Sequence, residues 1–266
     1  MFLTGCNNPS GSPIATGSQP YILDSPGNHS IREHLQILPD TDTGYSIQNI
    51  VQPEVQDLFV AFSNKTFEPQ SHQAYWGKIQ LENRLPDAEM HSEWVLNFTT
   101  TFTQITLFRQ AGNGTWIPEV NGTFVPAHLK NFTPTKSGNW FKLVLPPREP
   151  VILYFRGASE RAAMPPTFLT YVQPLAAFYN KLLVDKVGNA LFTGFLLMML
   201  LYNLIKFFIV RDRSYIYYSG YLLMVAVYTA YISEDLEDWL GGIVFSEHPA
   251  FLNLFKSSLY LGLMCW

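Results

Sequence analysis

The sequence predicts an all-β domain of the sandwich or jelly-roll type, followed by α-helical segments that cross a membrane. Three observations predict it. Before Val187 the chain is built of short alternating or uniformly apolar runs, separated by Gly- and Pro-containing turns. From Val187 onward come long apolar runs with few charges. Only 14% of the 266 residues are charged, against about a quarter in an ordinary soluble domain. The mean hydropathy of +0.05 then averages a polar, aromatic β domain with a lipid-facing part. The formal net charge of −4 disfavours a nucleic-acid partner, which needs a basic excess.

Residues 1–20 read as a leader. Asn7 to Pro20 is rich in Ser, Gly, Pro and Asn, the composition of a flexible segment. Ahead of it, Leu3-Thr4-Gly5-Cys6 is similar to the bacterial lipobox, whose cysteine becomes a lipidated N-terminus. A working signal needs a basic region and an apolar stretch of about 7–15 residues, and only Met1 and Phe2 precede Leu3. Two readings stay open: a start further upstream, with Cys6 lipidated, or a chance match. Cys6 and Cys265 lie at opposite ends, without Cys or His at metal-ligand spacing. No disulfide framework, metal site or cofactor is expected.

The β domain is expected over residues 21–172. The stretch 75–83 alternates, with Tyr75, Ile79 and Leu81 on one face and Lys78, Gln80 and Glu82 on the other. Further strands are expected at 93–99, 104–108, 140–145, 151–156 and 168–172. Phe141, Leu143 and Leu145 would point inward and Lys142 outward. Arg84-Leu85-Pro86-Asp87, Ala111-Gly112-Asn113-Gly114, Asn121-Gly122 and Pro146-Pro147 supply turns. About 150 residues are enough to bury a core without disulfides.

Residues 173–186 read as a juxtamembrane linker. Pro174 and the segment from Phe178 to Lys186 form the joint that must carry any motion. Three membrane spans follow, at about 187–210, 215–232 and 251–266. The first is long enough for a hydrocarbon core of roughly 30 Å, and Lys206 lies near enough to its end to snorkel. The second is uncharged and dense in Tyr, which favours the membrane interface. The third stops at Trp266 without a polar flank, as if the chain were cut inside a helix. The basic turn Arg211-Asp212-Arg213-Ser214 belongs on the cytoplasmic side. The acidic loop after the second span, and the whole β domain, then lie outside. The expected location is the inner (cytoplasmic) membrane, multi-pass, with a periplasmic N-terminal domain.

Catalytic signatures are absent: there is no G-x-S-x-G, H-E-x-x-H or Walker loop. Asp40-Thr41-Asp42-Thr43-Gly44 lacks the remaining ligands of a calcium loop and reads as an Asp-rich turn. Six Asn-x-Ser/Thr sequons are what a Thr- and Asn-rich β domain produces by chance. The tryptophans carry more. Exposed indoles can stack on the apolar faces of sugar rings. Trp76 and Trp140 fall in register opposite to the apolar faces assigned above, which predicts surface positions. Trp116 follows Asn113-Gly114-Thr115, beside a loop. Trp76, Trp116 and Trp140 are therefore the candidate ligand-binding residues. Packing is the commoner fate of large aromatics and stands against this reading.

Several motifs occur in order along the chain. They include Tyr21-Ile22-Leu23-Asp24-Ser25-Pro26-Gly27, then Ala74-Tyr75-Trp76-Gly77 leading into an alternating strand that ends at Asn83. Ile105-Thr106-Leu107-Phe108, Phe141-Lys142-Leu143-Val144-Leu145-Pro146-Pro147 and Leu153-Tyr154-Phe155-Arg156 follow. In the membrane part come Gly194, Met199, Leu201-Tyr202-Asn203, Arg211-Asp212-Arg213-Ser214-Tyr215 and Tyr217-Tyr218. With these motifs the chain resembles the bacterial seven-transmembrane receptors with diverse intracellular signalling modules, with their type 2 extracellular domain. The resemblance implies a jelly-roll outer domain similar to carbohydrate-binding modules. It also implies seven helices and a cytoplasmic effector such as a histidine kinase, cyclase or diguanylate cyclase. This chain departs from that plan, with at most three spans and no effector. No enzymatic activity is expected of it.

The expected function is the sensory front of a transmembrane receptor. Its outer sandwich binds a small ligand, with carbohydrate as the class under consideration, and signals through the helices to a module absent from this chain. The expected partners are membrane lipid, that ligand, that cytoplasmic module and, as an allowed assembly, a second copy in a homodimer. The alternative is a membrane-tethered carbohydrate-binding or adhesion module without signalling output. A glycan hydrolase ranks last, because Glu82, Glu89 and Glu93 show no pairing of the kind two catalytic carboxylates need.

Overall fold

The structure is a computed structural model that describes residues 19–40, 44–62, 68–71, 73–87, 92–99, 102–112, 114–122, 125–134, 138–158 and 165–232. The expected leader up to residue 18 with Cys6, residues 41–43 of the Asp-rich turn, Glu89, and the third span at 251–266 lie outside the described residues.

Two sheets face each other. The first contains β1 (Tyr21–Leu23), β3 (Gln36–Asp40), β4 (Val60–Ala61), β5 (Ala74–Asn83), β7 (Gln104–Gln110), β8 (Trp116–Asn121) and β10 (Pro150–Ala158). Its order is β4-β3-β5-β10-β7-β8, with β1 lying parallel to the end of β5 so that Tyr21 sits opposite Leu81. The second contains β2 (His29–Ser30), β6 (Glu93–Thr99), β9 (Trp140–Val144) and β11 (Leu169–Pro174), in the order β2-β11-β6-β9. The long strands pair antiparallel throughout. This is a β-sandwich, as the alternation predicts.

The main core lies between the sheets. Tyr75, Ile79 and Leu81 from β5, Leu153 and Phe155 from β10, and Ile105 and Leu107 from β7 meet Trp94, Leu96 and Phe98 from β6 and Phe141 and Leu143 from β9. The expected inward face of residues 141, 143 and 145 is therefore the observed one. Rings set the spacing. Phe98 packs on Phe155 at 4.7 Å and edge-on to Phe141 at 5.8 Å, in the offset and edge arrangements that ring quadrupoles favour. Gly77 lies directly opposite Phe155 in the ladder. A Cβ at Gly77 would overlap the Phe155 ring, so the close approach of strand to ring requires glycine.

A second, smaller core covers the outer face of the first sheet. Between β3 and β4 the chain makes two short helices, α1 (Ile47–Ile50) and α2 (Pro53–Gln56). Ser46 starts α1 with a capping box: its hydroxyl accepts from the Asn49 N–H, and the Asn49 side chain accepts from the Ser46 N–H. Pro53 opens α2 at a position that needs no donor. This excursion lays Ile47, Ile50 and Phe59 over Leu38, Trp76 and Tyr154.

The sandwich runs into the membrane part without a loop. β11 ends at Pro174, and Leu175 begins a continuous 36-residue helix, α3 (Leu175–Val210). At about 1.5 Å per residue it is about 54 Å long. The span from Val187 takes up roughly 36 Å of this, which leaves some 18 Å as a helical stalk on the sandwich side. The expected linker at 173–186 is thus the last strand residues and the first turns of a helix. Among the described residues α3 is long and apolar enough to cross a membrane, with a mean hydropathy of 1.9 and 11% of that window buried. Its lipid-type surface, rather than a protein core, is what such exposure suits. The following helix, α4 (Arg213–Ile232), packs back along α3 through Leu196, Leu222 and Ala226.

Candidate functional site

β8 and β9 are the neighbouring edges of the two sheets. They are tied by the Asn121 side chain, whose Nδ2 donates to the Trp140 carbonyl at 2.9 Å. Beside this tie a cleft of about 310 Å³ opens, with Glu93, Lys142 and Val144 on one wall, Arg109 and Glu119 on another, and Asn131 and Phe132 from the connection that follows β8.

Register explains its charges. Arg109 lies opposite Ile117, and Glu119 opposite Leu107, so the two form a diagonal pair across β7 and β8. Arg109 Nη2 reaches Glu119 Oε1 at 2.7 Å. Glu119 takes the inward register and is only 7% exposed; a carboxylate there needs its cation close by. Glu93 and Lys142 are the matching diagonal across β6 and β9, at 2.6 Å and partly exposed. The cleft thus carries two cations and two anions in pairs. It has both hydrogen-bond donors and acceptors, an amide and one aromatic ring.

Phe132 belongs to two neighbourhoods. It lines the cleft, and its ring lies 6.5 Å from that of Phe178 in the first turn of α3. Phe178 also packs on Trp140 at 4.8 Å and is 4% exposed. Trp140 lies against Gly138, where a Cβ would overlap the indole. The start of the stalk is therefore held by an aromatic cluster on the outer face of the second sheet, one ring away from the cleft.

The expected tryptophan platform is corrected by this structure. Trp76 does lie on the face of β5 opposite the main core, as the alternation says. That face is not solvent: the excursion through α1 and α2 covers it, and Trp76 is 1% exposed. It stacks on Phe108 at 5.3 Å, and its Nε1 is buried without a hydrogen-bond partner. Trp116 is half-buried, edge-on to Tyr154 at 5.3 Å in the same cluster. Trp140 is half-buried on the other sheet, against Phe178. Trp76 and Trp116 are brought together and Trp140 is not, so the three do not share a binding face. Of the carboxylates considered for hydrolysis, Glu82 is paired with Arg84 and Glu93 with Lys142, on different sheets. Asp40 of the expected Asp-rich turn is buried in an ion pair with Arg156 at 2.9 Å. Among the described residues no group of acidic, His or Cys side chains could hold a metal ion.

Around Tyr154 and Lys78 the outer core is polar. The Gln56 Oε1 accepts from Lys78 Nζ at 2.7 Å and from the Tyr154 hydroxyl at 3.2 Å. Burial pushes the Tyr154 phenol up and the Lys78 ammonium down from their ordinary values.

In the membrane part, Tyr202 is exposed on α3, with the Lys206 ammonium over its ring at 5.7 Å. Asn203 faces the α3–α4 side, 6% exposed, and donates to the Met199 carbonyl one turn back. Ser219 of α4 is likewise buried and donates to the Tyr215 carbonyl. The turn between the helices is tight. Arg211 takes a left-handed conformation, φ 58°, and its N–H closes α3 on the Phe207 carbonyl. Asp212 Oδ1 accepts from the Ser214 N–H at 2.9 Å and starts α4. The Ser214 hydrogen bonds hold the Asp212 carboxyl below its ordinary value. Arg213 and Tyr215 belong to the first turn of α4.

None of Arg109, Glu119, Asn131, Phe132 or Lys142 stood out as a site residue in the sequence. The signal that finds them is the pairing register of four strands.

Comparison with known proteins supports both parts. The family model described as 7TMR-DISM extracellular 2 matches residues 32–170. The model described as 7TM diverse intracellular signalling matches residues 186–266. No curated protein matches the chain. The sandwich is therefore an extracellular domain on a membrane signalling protein, and the chain belongs to the seven-transmembrane receptors with diverse intracellular signalling modules, with their type 2 extracellular domain.

Proposed function

We propose that the outer sandwich binds a small ligand of the carbohydrate class, and that binding is passed through α3 to an intracellular signalling module. The observation that carries this reading is the junction at Pro174. β11 hydrogen-bonds within the second sheet and becomes the stalk of α3 with no loop between. Phe178 fixes the rotational setting of that stalk against Trp140. A change in the sandwich edge therefore has a rigid lever to act on, about 54 Å long. Binding shifts the helices between two arrangements by as much as the ligand prefers one of them.

The proposal has further parts. The sandwich is a jelly roll, α4 is a further span, and the Arg211–Ser214 turn faces the cytoplasm of a bacterial inner membrane. No catalysis and no cofactor are proposed for this chain, and a homodimer is an allowed assembly. The test is a thermal-shift screen of the chain in lipid nanodiscs against a panel of monosaccharides and β-linked disaccharides. A saccharide that raises the unfolding midpoint of the sandwich in a concentration-dependent way is the expected result. A panel without any such shift overturns the carbohydrate reading. One alanine inserted after Val184 rotates the span by about 100° relative to the sandwich. It should leave binding intact and abolish any ligand-induced change at the Arg211 turn.

A further inference from the structure

We propose that the cleft at the β8–β9 edge is the saccharide site, and that Phe132 is the residue through which its occupancy reaches α3. The proposal rests on the sensory reading above and gives it a place and a mechanism.

The chemistry of the cleft selects the ligand class. Its two ion pairs, Arg109–Glu119 and Glu93–Lys142, cancel in charge. An anionic ligand drawn to Arg109 or Lys142 would lie beside Glu119 or Glu93, and a cationic one drawn to those carboxylates would lie beside their cations, so a like charge opposes either. A neutral polyol meets no such cost. Each of its hydroxyls both donates and accepts, so adjacent hydroxyls can bridge a carboxylate and a cation that already lie together. Asn131 adds an amide with both functions. Phe132 adds an aromatic ring to the lining, the group on which the apolar C–H side of a sugar packs. The volume of about 310 Å³ lies at the small end of ligand sites, which suits one or two sugar rings. Four of the polar groups stand on strands of the sandwich, so the site is held in shape before the ligand arrives.

The coupling follows from the position of Phe132. A ring stacked on it from the cleft side presses on a side chain whose other neighbour is Phe178. Phe178 is buried, and Trp140 backs it. The first turn of the stalk is then the nearest element that can respond.

The experiment uses the chain in nanodiscs and the saccharide that shifts its midpoint most. Three variants are compared by calorimetric titration and by hydrogen exchange across residues 175–186. Arg109→Lys keeps a cation beside Glu119 but loses the planar fork. Asn131→Ala removes the amide at an exposed position. Phe178→Leu replaces no residue that lines the cleft. Arg109→Lys and Asn131→Ala should each weaken binding by about tenfold, with the unliganded midpoint unchanged. Phe178→Leu should bind as the parent does and lose the ligand-induced change in exchange of the stalk. Unchanged affinity in both cleft variants overturns the site and leaves the sensory reading standing. Unchanged exchange behaviour in Phe178→Leu overturns the Phe132 route. Binding of glycine or glutamate in place of every saccharide overturns the assigned ligand class. If nothing in the panel binds, the site and the carbohydrate reading fall together.

Discussion

In the sandwich the largest apolar side chains are the least exposed, whereas along the membrane span of α3 most of them are open. Trp94, Phe98, Phe102, Phe141 and Phe155 are almost wholly covered, whereas Leu191, Met198, Phe208 and Ile209 are each more than two-thirds open. The sandwich buries its rings against one another in a connected cluster. The helix pair buries little beyond Leu196, Leu222 and Ala226. The difference is one of solvent. In water, uncovered apolar surface costs roughly 25 cal/mol per Å², so the β domain must close over its side chains. In hydrocarbon that cost vanishes, and the helix has only to satisfy its own backbone. The buried polar groups at the helix contact, Asn203 and Ser219, do so within their own helices.

Substitutions at the rings should separate the two regions most strongly. Phe155→Ala should cost the sandwich about 3–5 kcal/mol in a denaturant titration, while Phe208→Ala on the lipid face should leave the same transition within about 0.5 kcal/mol. Equal effects would mean that α3 is packed like the sandwich. Next in size is Gly77→Ala. Its Cβ meets the Phe155 ring, and overpacking of this kind costs about 1–3 kcal/mol; a calorimetric midpoint would register it. Asp40→Asn leaves Arg156 without its carboxylate. Since Arg156 is partly exposed, a loss of about 1 kcal/mol is expected.

Smaller effects come from pH. Burial raises the Tyr75 and Tyr154 phenols above their ordinary value of 10.0. The stability they contribute is full below the unfolded value, and it is lost as pH rises through the folded one. The lowered Lys78 has the opposite sign, since its penalty is relieved as the pH rises toward its ordinary value. Comparing Tyr154→Phe with the parent between pH 9 and about 11 isolates the phenol; the variant should show the shallower loss. Smallest is the turn. The Asp212 cap contributes above the ordinary carboxylate range and fades as pH falls through the depressed value. Asp212→Asn should keep helix content and remove that dependence, whereas Asp212→Ala should fray the start of α4 at every pH, as circular dichroism would show.

Legibility followed the strength of local pattern. β5, β6 and β9 alternate clearly and stand where the sequence predicts them. β8 carries no clear strand signal because Pro118 interrupts it, as its place at the sheet edge allows. β1, β2 and β4 are two or three residues long and carry no periodicity of their own. For Trp76 the alternation names the right side of the sheet. It cannot say that residues 45–59 fold back over that side, because the cover comes from a separate part of the chain. The cleft was illegible for the same reason: Glu93, Arg109, Glu119 and Lys142 come from four strands, and each reads alone as an ordinary surface charge.

Hydropathy and turn chemistry are properties of neighbouring residues. The sequence by itself therefore determined a β domain, the change of solvent near Val187 and the basic turn at Arg211. Family membership was legible too, because it rests on motifs in order. Which face of the first sheet is covered, which charges become partners at the β8–β9 edge, and how Phe178 ties the stalk to the sandwich were decided by strand register and long-range packing. Those terms depend on residues tens of positions apart meeting at contact distance, and only the folded chain brings them there.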